Sequence, residues 1–506
     1  MKAPAPSDRT IHPPVFFASA FLLVLFLAFG SLWPDVAGRV FPVALDLVAT
    51  YFGWIYVPAV TGFVGFTAWL LLGPWRRIRL GADNERPAYG NLSWFSMLFS
   101  AGMGIGLLFY GVAEPMTHYQ KPPGGEGAAA AAADAVPLTF FHWGIHAWSI
   151  YVILGLAIAY FSFRKGLPLS IRSVLHPLLG DRISGWPGDV VDTLAVVGTL
   201  FGLATSLGLG AMQVNSGLHF LFGVPKGPTT QLILIAVITG AATLSLVSGV
   251  DKGIKRLSEL NILLAGLLLL FVFTVGPTQY VLDAVITDVG RYFTYFVSRS
   301  LDLDPRGPVE WRKGWTLFYW GWWIAWAPFV GTFVARISRG RTIGEFVLGA
   351  TLVPTAVTFL WIGVFGETAL YLELETDASI AAAVQADVST AIYAVLRELP
   401  LATLNSFLAA LVVTVFFVTS SDSASFVVDM ITSGGHPNPP IWQRVFWAVA
   451  EGAVAAVLLV AAGRSGLSAL QAGVICIGAP FCIVLILTCV GLYRALRAEV
   501  AALPPE

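Results

Sequence analysis

Aromatic side chains recur at helical spacing in one apolar stretch, which runs from Trp315 to Arg341. On a helix with 100° per residue, five of them fall within an arc of roughly 80°: Phe318, Trp322, Trp326, Phe329 and Phe333. Trp323 points about 100° away from this stripe. Because lipid-facing Trp side chains cluster at the two membrane interfaces and not through the depth of a span, the stripe predicts a surface that faces protein or a cavity. Pro328 and Gly331 weaken the helix beside it.

A second aromatic cluster contains Trp143, Trp148 and Tyr151. On a helical wheel that starts at Trp143, Tyr151 lies at about 80° and Trp148 at about 140°. Together with Trp323 these rings could surround a quaternary ammonium group, which has no N–H and is held best by aromatic faces. Interface anchoring is the alternative, since Trp143 lies only about one and a half turns into its span.

Three alternating glycines, Gly102, Gly104 and Gly106, interrupt another apolar stretch. Each disfavours a regular helix by about 1 kcal/mol relative to Ala. Non-helical backbone at membrane depth is tolerated only where it is buried in protein or lines a cavity. Close packing of helices through small residues is the alternative, but alternating glycines do not share one helix face. The pattern therefore favours an unwound stretch.

Hydroxyl side chains surround one acidic residue at the end of a later apolar run: Thr419, Ser420, Ser421, Asp422 and Ser423. Single hydroxyl groups often bond back to carbonyls of their own helix. Five polar residues together inside a membrane favour a function, and oxygen ligands suit a small, hard cation. The group predicts a cation site, with Asp422 as a possible proton site.

Motifs of metal, nucleotide or haem chemistry do not emerge, and an enzyme is not predicted. His142 and His146 lie one turn apart without a third ligand nearby. Cys476, Cys482 and Cys489 share one late apolar segment without metal or disulfide spacing. The net charge of −1 gives no general attraction to nucleic acid.

The elements that must position these residues are membrane helices. Hydrophobic residues make up 57% of the 506 residues, charged residues 12%, and mean hydropathy is +0.77; a soluble domain carries about twice that charge. With about 20 residues per span, the sequence predicts an all-α protein with about twelve transmembrane helices: 14–33, 50–73, 91–112, 137–164, 188–220, 229–250, 258–276, 313–338, 343–368, 400–432, 441–463 and 467–493.

An N-terminus in the cytoplasm places most of the 29 Lys and Arg residues on the cytoplasmic side, so we expect both termini inside. Residues 113–136 and 369–399 become outer loops, and 279–299 an amphipathic helix along the outer interface. Spans 3–7 and 8–12 form two five-helix sets, each beginning with an interrupted helix. An odd number of spans inverts the second set, and such interruptions indicate a transporter binding site near the membrane midplane.

This reading divides the chain into six regions: a short cytoplasmic tail (1–13), two peripheral helices (14–90), a first repeat (91–276), an outer linker helix (277–312), a second repeat (313–496) and a short cytoplasmic tail (497–506).

The sequence closely resembles the betaine/choline/carnitine transporter family across essentially all twelve spans. Four stretches carry the resemblance: HPPVFF from His12, GMGIGLLFYGVAEP from Gly102, WGWWIAWAPFVG from Trp320 continuing into ARISRGRTI, and TSSDS from Thr419. The resemblance implies two initial helices plus a five-plus-five inverted repeat of the leucine-transporter type. It further implies alternating access, a homotrimer among membrane lipid, and a bacterial cytoplasmic (inner) membrane.

Family site residues map onto this chain position by position. The resemblance implies an aromatic substrate box of Trp143, Trp148, Tyr151 and Trp323. It implies an inner aromatic pathway at Trp322, Trp326 and Phe329, and an outer gate at Phe109. It implies a sodium site formed by the backbone carbonyls of Ser100, Met103 and Phe416 with the hydroxyls of Thr419 and Ser420.

Gly106 bears on the substrate, because choline carriers similar to this chain often have Asp there and zwitterion carriers Gly. A betaine brings its own carboxylate, which backbone N–H groups around Gly102, Gly104 and Gly106 could hold. A second sodium site of some members is in doubt, since Thr199 is present but Leu203 replaces the second threonine. The short tails differ from the long, charged tails of osmosensing members and favour a constitutive or nutritional importer.

The sequence therefore predicts a secondary active importer of a quaternary-ammonium or sulfonium zwitterion such as glycine betaine, coupled to Na⁺ and needing no other cofactor. A proton-coupled choline or carnitine transporter of the same family is one alternative, and an amino-acid transporter of the same fold is another. A channel or receptor is disfavoured, because neither a polar file along several helices nor a sensing domain is seen.

Overall fold

Apolar runs of the sequence form helices throughout the computed structural model. The structure describes residues 11–102, 104–125, 127–247, 251–436, 439–461 and 466–501. The side chains of residues 99–102, 251–256, 461 and 466–468 lie outside this description. Backbone groups inside a bilayer must be satisfied within their own segment, which favours helices. Over these residues no β-strand forms. The helices, joined by short 3₁₀ and π turns, are as follows: α1 Pro13–Leu32, α2 Pro34–Tyr51, α3 Gly53–Leu72, α4 Asn91–Gly102, α5 Ile105–Gln120, α6 Ala128–Trp143, α7 Ile145–Ala159, α8 His176–Leu179, α9 Trp186–Phe222, α10 Pro228–Val247, α11 Asp251–Val275, α12 Thr278–Thr294, α13 Phe296–Ser300, α14 Val309–Arg312, α15 Phe318–Ile337, α16 Ile343–Glu375, α17 Ile380–Ala386, α18 Ala391–Arg397, α19 Ala402–Thr432, α20 Ile441–Ala461 and α21 Gly466–Ala501.

Ten of the segments described are long and apolar enough to cross a membrane. The prediction of an all-α, multi-pass membrane protein is thereby confirmed, while the number twelve stays a prediction. The predicted spans at 91–112 and 313–338 are the two that fall outside this set. The first is divided between α4 and α5, and the second, α15, is rich in Trp, whose hydropathy is low.

Three connections contain more helix than the sequence predicted. α2 lies between the first two spans, where charged residues and Pro42 lower the hydropathy. α6 begins at Ala128, so the alanine-rich run is helical and the outer loop expected at 113–136 is wrong for most of its length. The acidic connection at 369–399 contains α17 and α18.

α12 corresponds to the amphipathic helix predicted at 279–299, and it packs against α6 and α16. Its apolar outer face includes the exposed side chains of Ile286 and Phe293. On the inner face Asp288 is buried against the carboxyl group of Glu367 on α16. Burial, and then the neighbouring Glu367, raise the pKa of Asp288 from 3.8 to about 9, against the opposing effect of Arg291. Burial beside a second carboxyl group thus favours the protonated form of Asp288 at the contact between α12 and α16.

The Trp-rich helix α15 lies at the centre of the bundle, in contact with α7, α9 and α21. Every side chain from Phe318 to Val330 is buried. An apolar helix covered on all sides belongs to the core of a large bundle and not to its lipid-facing surface. α15 thus positions its aromatic side chains towards neighbouring helices, as the stripe predicts. It is continuous from Phe318 to Ile337 with Pro328 inside it, so the interruption expected at Pro328 to Gly331 is wrong.

One end of the bundle is fastened by backbone pairing between the loop after α3 and the turn between α15 and α16. Leu80 N donates to Arg341 O (2.8 Å), Gly340 N to Leu80 O (2.8 Å) and Ile343 N to Ile78 O (2.9 Å). Helix α16 then begins at a capping box: the Glu345 backbone N–H donates to the Thr342 hydroxyl, and the Thr342 N–H to the Glu345 carboxylate.

Candidate functional site

The chain leaves the helical conformation between α4 and α5, at the alternating glycines. α4 ends at Gly102, α5 begins at Ile105, and Gly104 has φ −163° and ψ −121°. A Cβ added to Gly104 would stand 3.4 Å from Phe416 Cδ1 and 3.7 Å from the Ser420 hydroxyl. The interrupted backbone therefore lies directly against α19, beside two of the predicted sodium-site residues.

A second break, which the sequence analysis missed, separates α6 from α7 at Gly144. Gly144 has φ −90° and ψ −136°, and a Cβ there would stand 2.7 Å from the Phe140 carbonyl oxygen. The helical wheel drawn from Trp143 through Tyr151 assumed one continuous helix and is wrong across this break. The signal was the glycine itself, at the centre of a cluster of large aromatic residues.

The four predicted box residues are buried, and their rings form a connected chain. The ring centroids of Trp143 and Trp323 lie 4.9 Å apart at 70°, those of Tyr151 and Trp323 6.3 Å apart, and those of Trp148 and Tyr151 5.5 Å apart. Edge-to-face contacts of this kind hold aromatic rings in fixed relative orientation. The rings come from both sides of the break at Gly144 and from α15.

Hydrogen bonds fix two of these indoles, while polar atoms of the other two residues remain available. Trp323 Nε1 donates to the His142 carbonyl (2.9 Å), and Trp143 Nε1 donates to Glu114 Oε2 (2.9 Å). Within the described residues, Trp148 Nε1 and the Tyr151 hydroxyl are buried without a hydrogen-bond partner. Because unpaired buried donors are rare and costly, both are candidates to bind a polar group of a ligand.

Gly106 lies at the edge of this box. A Cβ at Gly106 would stand 2.9 Å from both Trp143 Cη2 and Trp322 Cη2. The missing side chain therefore lets the two indoles approach the α5 backbone.

Tyr110 separates the box from a cavity of about 280 Å³ on the side of residues 120–121. It lines this cavity together with Trp315, and its ring also contacts those of Trp143 and Trp322 at 6.2 and 6.1 Å. Phe109, the predicted outer gate, is buried and packs on Tyr110 at 4.9 Å. Tyr110, which the sequence analysis did not select, thus stands between cavity and box, with Phe109 supporting it.

The predicted inner pathway continues from the box along α15. The Trp322 and Trp323 rings stack at 4.9 Å with an angle of 11°, and Trp326 follows at 6.2 Å from Trp322. Phe329 lies 5.7 Å from Trp326. All four rings are buried, so they form a continuous aromatic column in this conformation.

Of the predicted sodium-site residues, Ser100 belongs to α4, and Phe416, Thr419 and Ser420 belong to α19. Met103 and the side chain of Ser100 lie outside the described residues. On α19, the Thr419 hydroxyl contacts the carbonyl oxygens of Val415 (3.0 Å) and Phe416 (3.3 Å). Ser420 is half-buried and faces Gly104.

Not all of the hydroxyl groups on α19 share one site, contrary to our expectation. Ser421 donates to the buried carboxylate of Glu451 on α20 (2.9 Å), and Ser423 bonds back to the Thr419 carbonyl (2.8 Å). Asp422 is half-buried and lies close enough to Glu451 for the two carboxylates to interact. Glu451 was missed, although an ionisable residue within an apolar run signals a function or a specific partner.

The second sodium site, which uses two threonines in some similar transporters, would fall on Thr199 and Leu203 of α9. Thr199 and Leu203 are both buried, and within the described residues the Thr199 hydroxyl has no hydrogen-bond partner. A leucine offers no oxygen ligand, so this pair does not form a second hard-cation site of the two-threonine kind.

A buried cluster of Glu114, His118 and His142 lies behind the box. Ligand atoms of the three residues all lie within 4.8 Å of one another, and carboxylate with imidazole is a set that divalent transition metals accept. Here, however, both imidazoles already pair with Glu114, through His142 Nδ1 at 2.6 Å and His118 Nε2 at 3.1 Å. His146 takes no part, since its Nε2 pairs with the Ser300 hydroxyl at 2.7 Å.

Comparisons with known proteins agree with this architecture. The profile of "BCCT, betaine/carnitine/choline family transporter" matches residues 14–501. The chain is 44% identical over 491 residues to "Glycine betaine transporter" of Acinetobacter baylyi, covering 97% of this chain and 74% of that protein. It is 45% identical over 489 residues to "Glycine betaine transporter OpuD" of Bacillus subtilis, covering 96% and 94%.

A third relative, "Glycine betaine/proline/choline transporter" of Vibrio parahaemolyticus, is 42% identical over 512 residues, covering 98% of this chain and 92% of that protein. A family profile over nearly the whole chain, a multi-pass helical bundle and a buried aromatic site agree with one another, and they describe a transporter and not an enzyme. The chain belongs to the betaine/carnitine/choline family of membrane transporters.

Proposed function

We propose that this transporter imports a quaternary-ammonium zwitterion, with glycine betaine as the first substrate to test. The observation that carries the proposal is the connected chain of aromatic rings at Trp143, Trp323, Tyr151 and Trp148, because aromatic faces attract a cation that cannot donate hydrogen bonds. The printed names of two relatives, at 44% and 45% identity, support the same substrate.

The surroundings of Gly106 favour a zwitterion over choline. A bare cation gains from a carboxylate beside the box, whereas a betaine carries its own. At Gly106 two indoles fill the space that such a side chain would need. The side-chain donors of Trp148 and Tyr151 are buried without a partner within the described residues. The first backbone N–H groups of α5, which begins after Gly104, have no partner within their helix. In this proposal both sets of donors hold the carboxylate of the substrate. A sulfonium analogue satisfies the same requirements.

Sodium coupling is the second part of the proposal. The non-helical backbone at Gly104 packs against Phe416 and Ser420, so an ion held there would tie α4 and α5 to α19. Thr419 and Ser420 supply hydroxyl oxygens, and the carbonyls of Ser100, Met103 and Phe416 complete a set suited to a small, hard ion. Proton coupling through Asp422 is the alternative that the transport assay distinguishes.

Transport proceeds by alternating access in this proposal. Sodium binds between the first break and α19 and completes the box, the substrate enters past Tyr110 and Phe109, and the site then opens past Trp326 and Phe329. Coupling between ion and substrate is a shared free energy, so each must raise the affinity for the other. Residues 91–276 and 313–496 form inverted five-helix repeats in this proposal, and the protein is a homotrimer in the bacterial inner membrane with both termini in the cytoplasm.

Uptake of labelled glycine betaine into proteoliposomes, with and without an inward sodium gradient, tests substrate and ion together. We expect accumulation above equilibrium that requires sodium. Accumulation driven only by a pH gradient would replace the sodium site with a proton role for Asp422. Uptake of choline but not of betaine would overturn the zwitterion, and choline is named among the substrates of the Vibrio relative.

A further inference from the structure

Glu114 on α5 is completely buried and uses both carboxylate oxygens in hydrogen bonds. Its Oε2 accepts from Trp143 Nε1 at 2.9 Å and from the Tyr319 hydroxyl. Its Oε1 contacts His142 Nδ1 at 2.6 Å and His118 Nε2 at 3.1 Å. An ionised carboxylate offers about four acceptor positions and no donor. Four neighbouring groups thus match the full capacity of a carboxylate.

The hydrogen-bond network is complete with a charged Glu114 and neutral imidazoles. The indole N–H of Trp143 can only donate, so Oε2 must accept. His142 can donate from Nδ1 to Glu114 while its Nε2 accepts from the Thr316 hydroxyl at 3.1 Å. This arrangement leaves one negative charge in a site without solvent contact.

A buried charge is costly unless an opposite charge or several hydrogen bonds compensate it. Arg299 is the cation whose charge reaches His118 and His142, and it is already paired with Asp134 at 2.7 Å. The remaining negative charge lies one hydrogen bond behind the aromatic box, on the side of Trp143. A cationic head group bound in the box would supply the opposite charge.

Glu114 acts on the box through the rings that donate to it. Tyr319 and Trp143 contact each other at 5.5 Å, and Tyr319 contacts Trp323 at 5.6 Å. A hydrogen bond to a carboxylate fixes the orientation of an indole or phenol and increases the electron density of its ring, because hydrogen-bonded groups polarise one another. A ring face richer in electrons attracts a cation more strongly.

We propose that Glu114 is a positioning residue and buried counter-charge that, through Trp143 and Tyr319, makes the aromatic box select a positively charged head group over a neutral one of the same shape. The inference rests on the proposed function, because it requires the box to be the substrate site. The inference assigns to the Glu114 charge a share of the preference for a charged over a neutral head group, in addition to the share that the four rings provide.

The test compares two ligands of equal shape and different charge on the purified full-length protein at saturating sodium. Glycine betaine carries a trimethylammonium head, and 3,3-dimethylbutyrate is its carbon isostere without the positive charge. Affinities follow from the change in tryptophan fluorescence and from calorimetry. In Glu114→Gln the amide oxygen can still accept from Trp143 and Tyr319, but the charge is absent. We expect betaine to bind about 10-fold more weakly and the isostere within about 2-fold of its original affinity.

Two further variants separate charge from structure. Tyr319→Phe retains the ring and the Glu114 charge but removes one link between them, and we expect about a 3-fold loss for betaine alone. Glu367→Gln is the matched control: it changes another buried carboxyl group, which faces Asp288 and does not contact the box, and we expect the ratio of the two affinities to stay as in the original protein.

Equal losses for both ligands in Glu114→Gln would show a purely structural role and overturn the inference. No loss for either ligand would also overturn it, because the side chain would then already be uncharged. An original protein that binds neither ligand would overturn the proposed function and the inference with it. Thermal unfolding and gel filtration of each variant show whether the fold is retained.

Discussion

Gly106 touches Trp143 so closely that a single added carbon would stand 2.9 Å from Cη2 of the indole. Trp322 Cη2 lies at the same distance on its other side. The α5 backbone at this glycine therefore forms part of the wall around the two rings. Any side chain at this position changes the size of the candidate site, and an acidic side chain also changes its charge.

Gly106→Asp is expected to lower betaine affinity about 10-fold or more while raising the affinity for choline relative to betaine. The added carboxylate repels the carboxylate of the betaine and attracts the bare cation of choline. Competition of each compound against labelled substrate measures the ratio. Gly106→Ala provides the control for crowding: a change of the ratio as large in Ala as in Asp would mean that size and not charge decides.

Trp323→Leu is expected to weaken betaine binding about 10-fold, because the stack of Trp323 with Trp322 and its contacts with Trp143 and Tyr151 provide one face of the box. Uptake kinetics in proteoliposomes give the change in KM. Trp361→Leu, at a buried tryptophan of α16 that stacks on Phe365, is the matched control. An unchanged KM in Trp323→Leu would contradict the assignment of Trp323 to the substrate-binding box.

The double substitution Thr419→Ala with Ser420→Ala removes both hydroxyls of the proposed sodium site. We expect it to raise the half-saturating sodium concentration about 5-fold or more, while the uptake rate at saturating sodium changes much less. Two oxygen ligands beside the break at Gly104 are then missing. Thr414→Ala is a control on the same helix, since its hydroxyl bonds back to the Ala410 carbonyl at 2.8 Å. The same sodium dependence in all three proteins would contradict the site.

Asp288 provides a pH prediction at the linker helix α12. Its pKa is raised to about 9 in the folded protein, so the folded state holds a proton that the unfolded state releases above about pH 4. The stabilising contribution of the protonated group is full below about pH 4 and is lost as the pH rises through 9. Asp288→Asn should therefore unfold at a temperature higher than the original protein at pH 9, by about 3 °C or more.

The measurement is a set of thermal unfolding curves at pH 6, 7.5 and 9 in one detergent. Asp283→Asn, on the exposed face of the same helix, is the control and should show no such trend. If the difference between Asp288→Asn and the original protein were the same at all three pH values, Asp288 would not be titrating in this range.

Helix content and most helix ends follow from the sequence, because long apolar runs in a bilayer have few alternatives to a helix. α9, for example, spans Trp186–Phe222 where 188–220 was predicted. α2 was missed because Asp35, Arg39 and Pro42 resemble a polar connection, and the alanine-rich start of α6 because low complexity suggested a loop. Hydropathy measures lipid compatibility, and these two segments are helical for other reasons.

The site shows the same division between local pattern and tertiary contact. The first break and the four rings were predictable, because the residue types and spacing of Gly104 and of the aromatic residues indicate them directly. Glu114 follows the alternating glycines closely in sequence, and His118 is one turn away, yet their relation to Trp143 depends on how α5 meets the end of α6. A carboxylate beside a proline in an apolar helix was the signal that could have found it.

The backbone pairing at residues 78–80 and 340–343 limits how the molecule can move. Because three main-chain hydrogen bonds fasten the loop after α3 to the turn that starts α16, these segments form one joint. Separating them would cost about 1 kcal/mol for each bond broken. While these bonds hold, α3 and the α15–α16 turn move together as one unit.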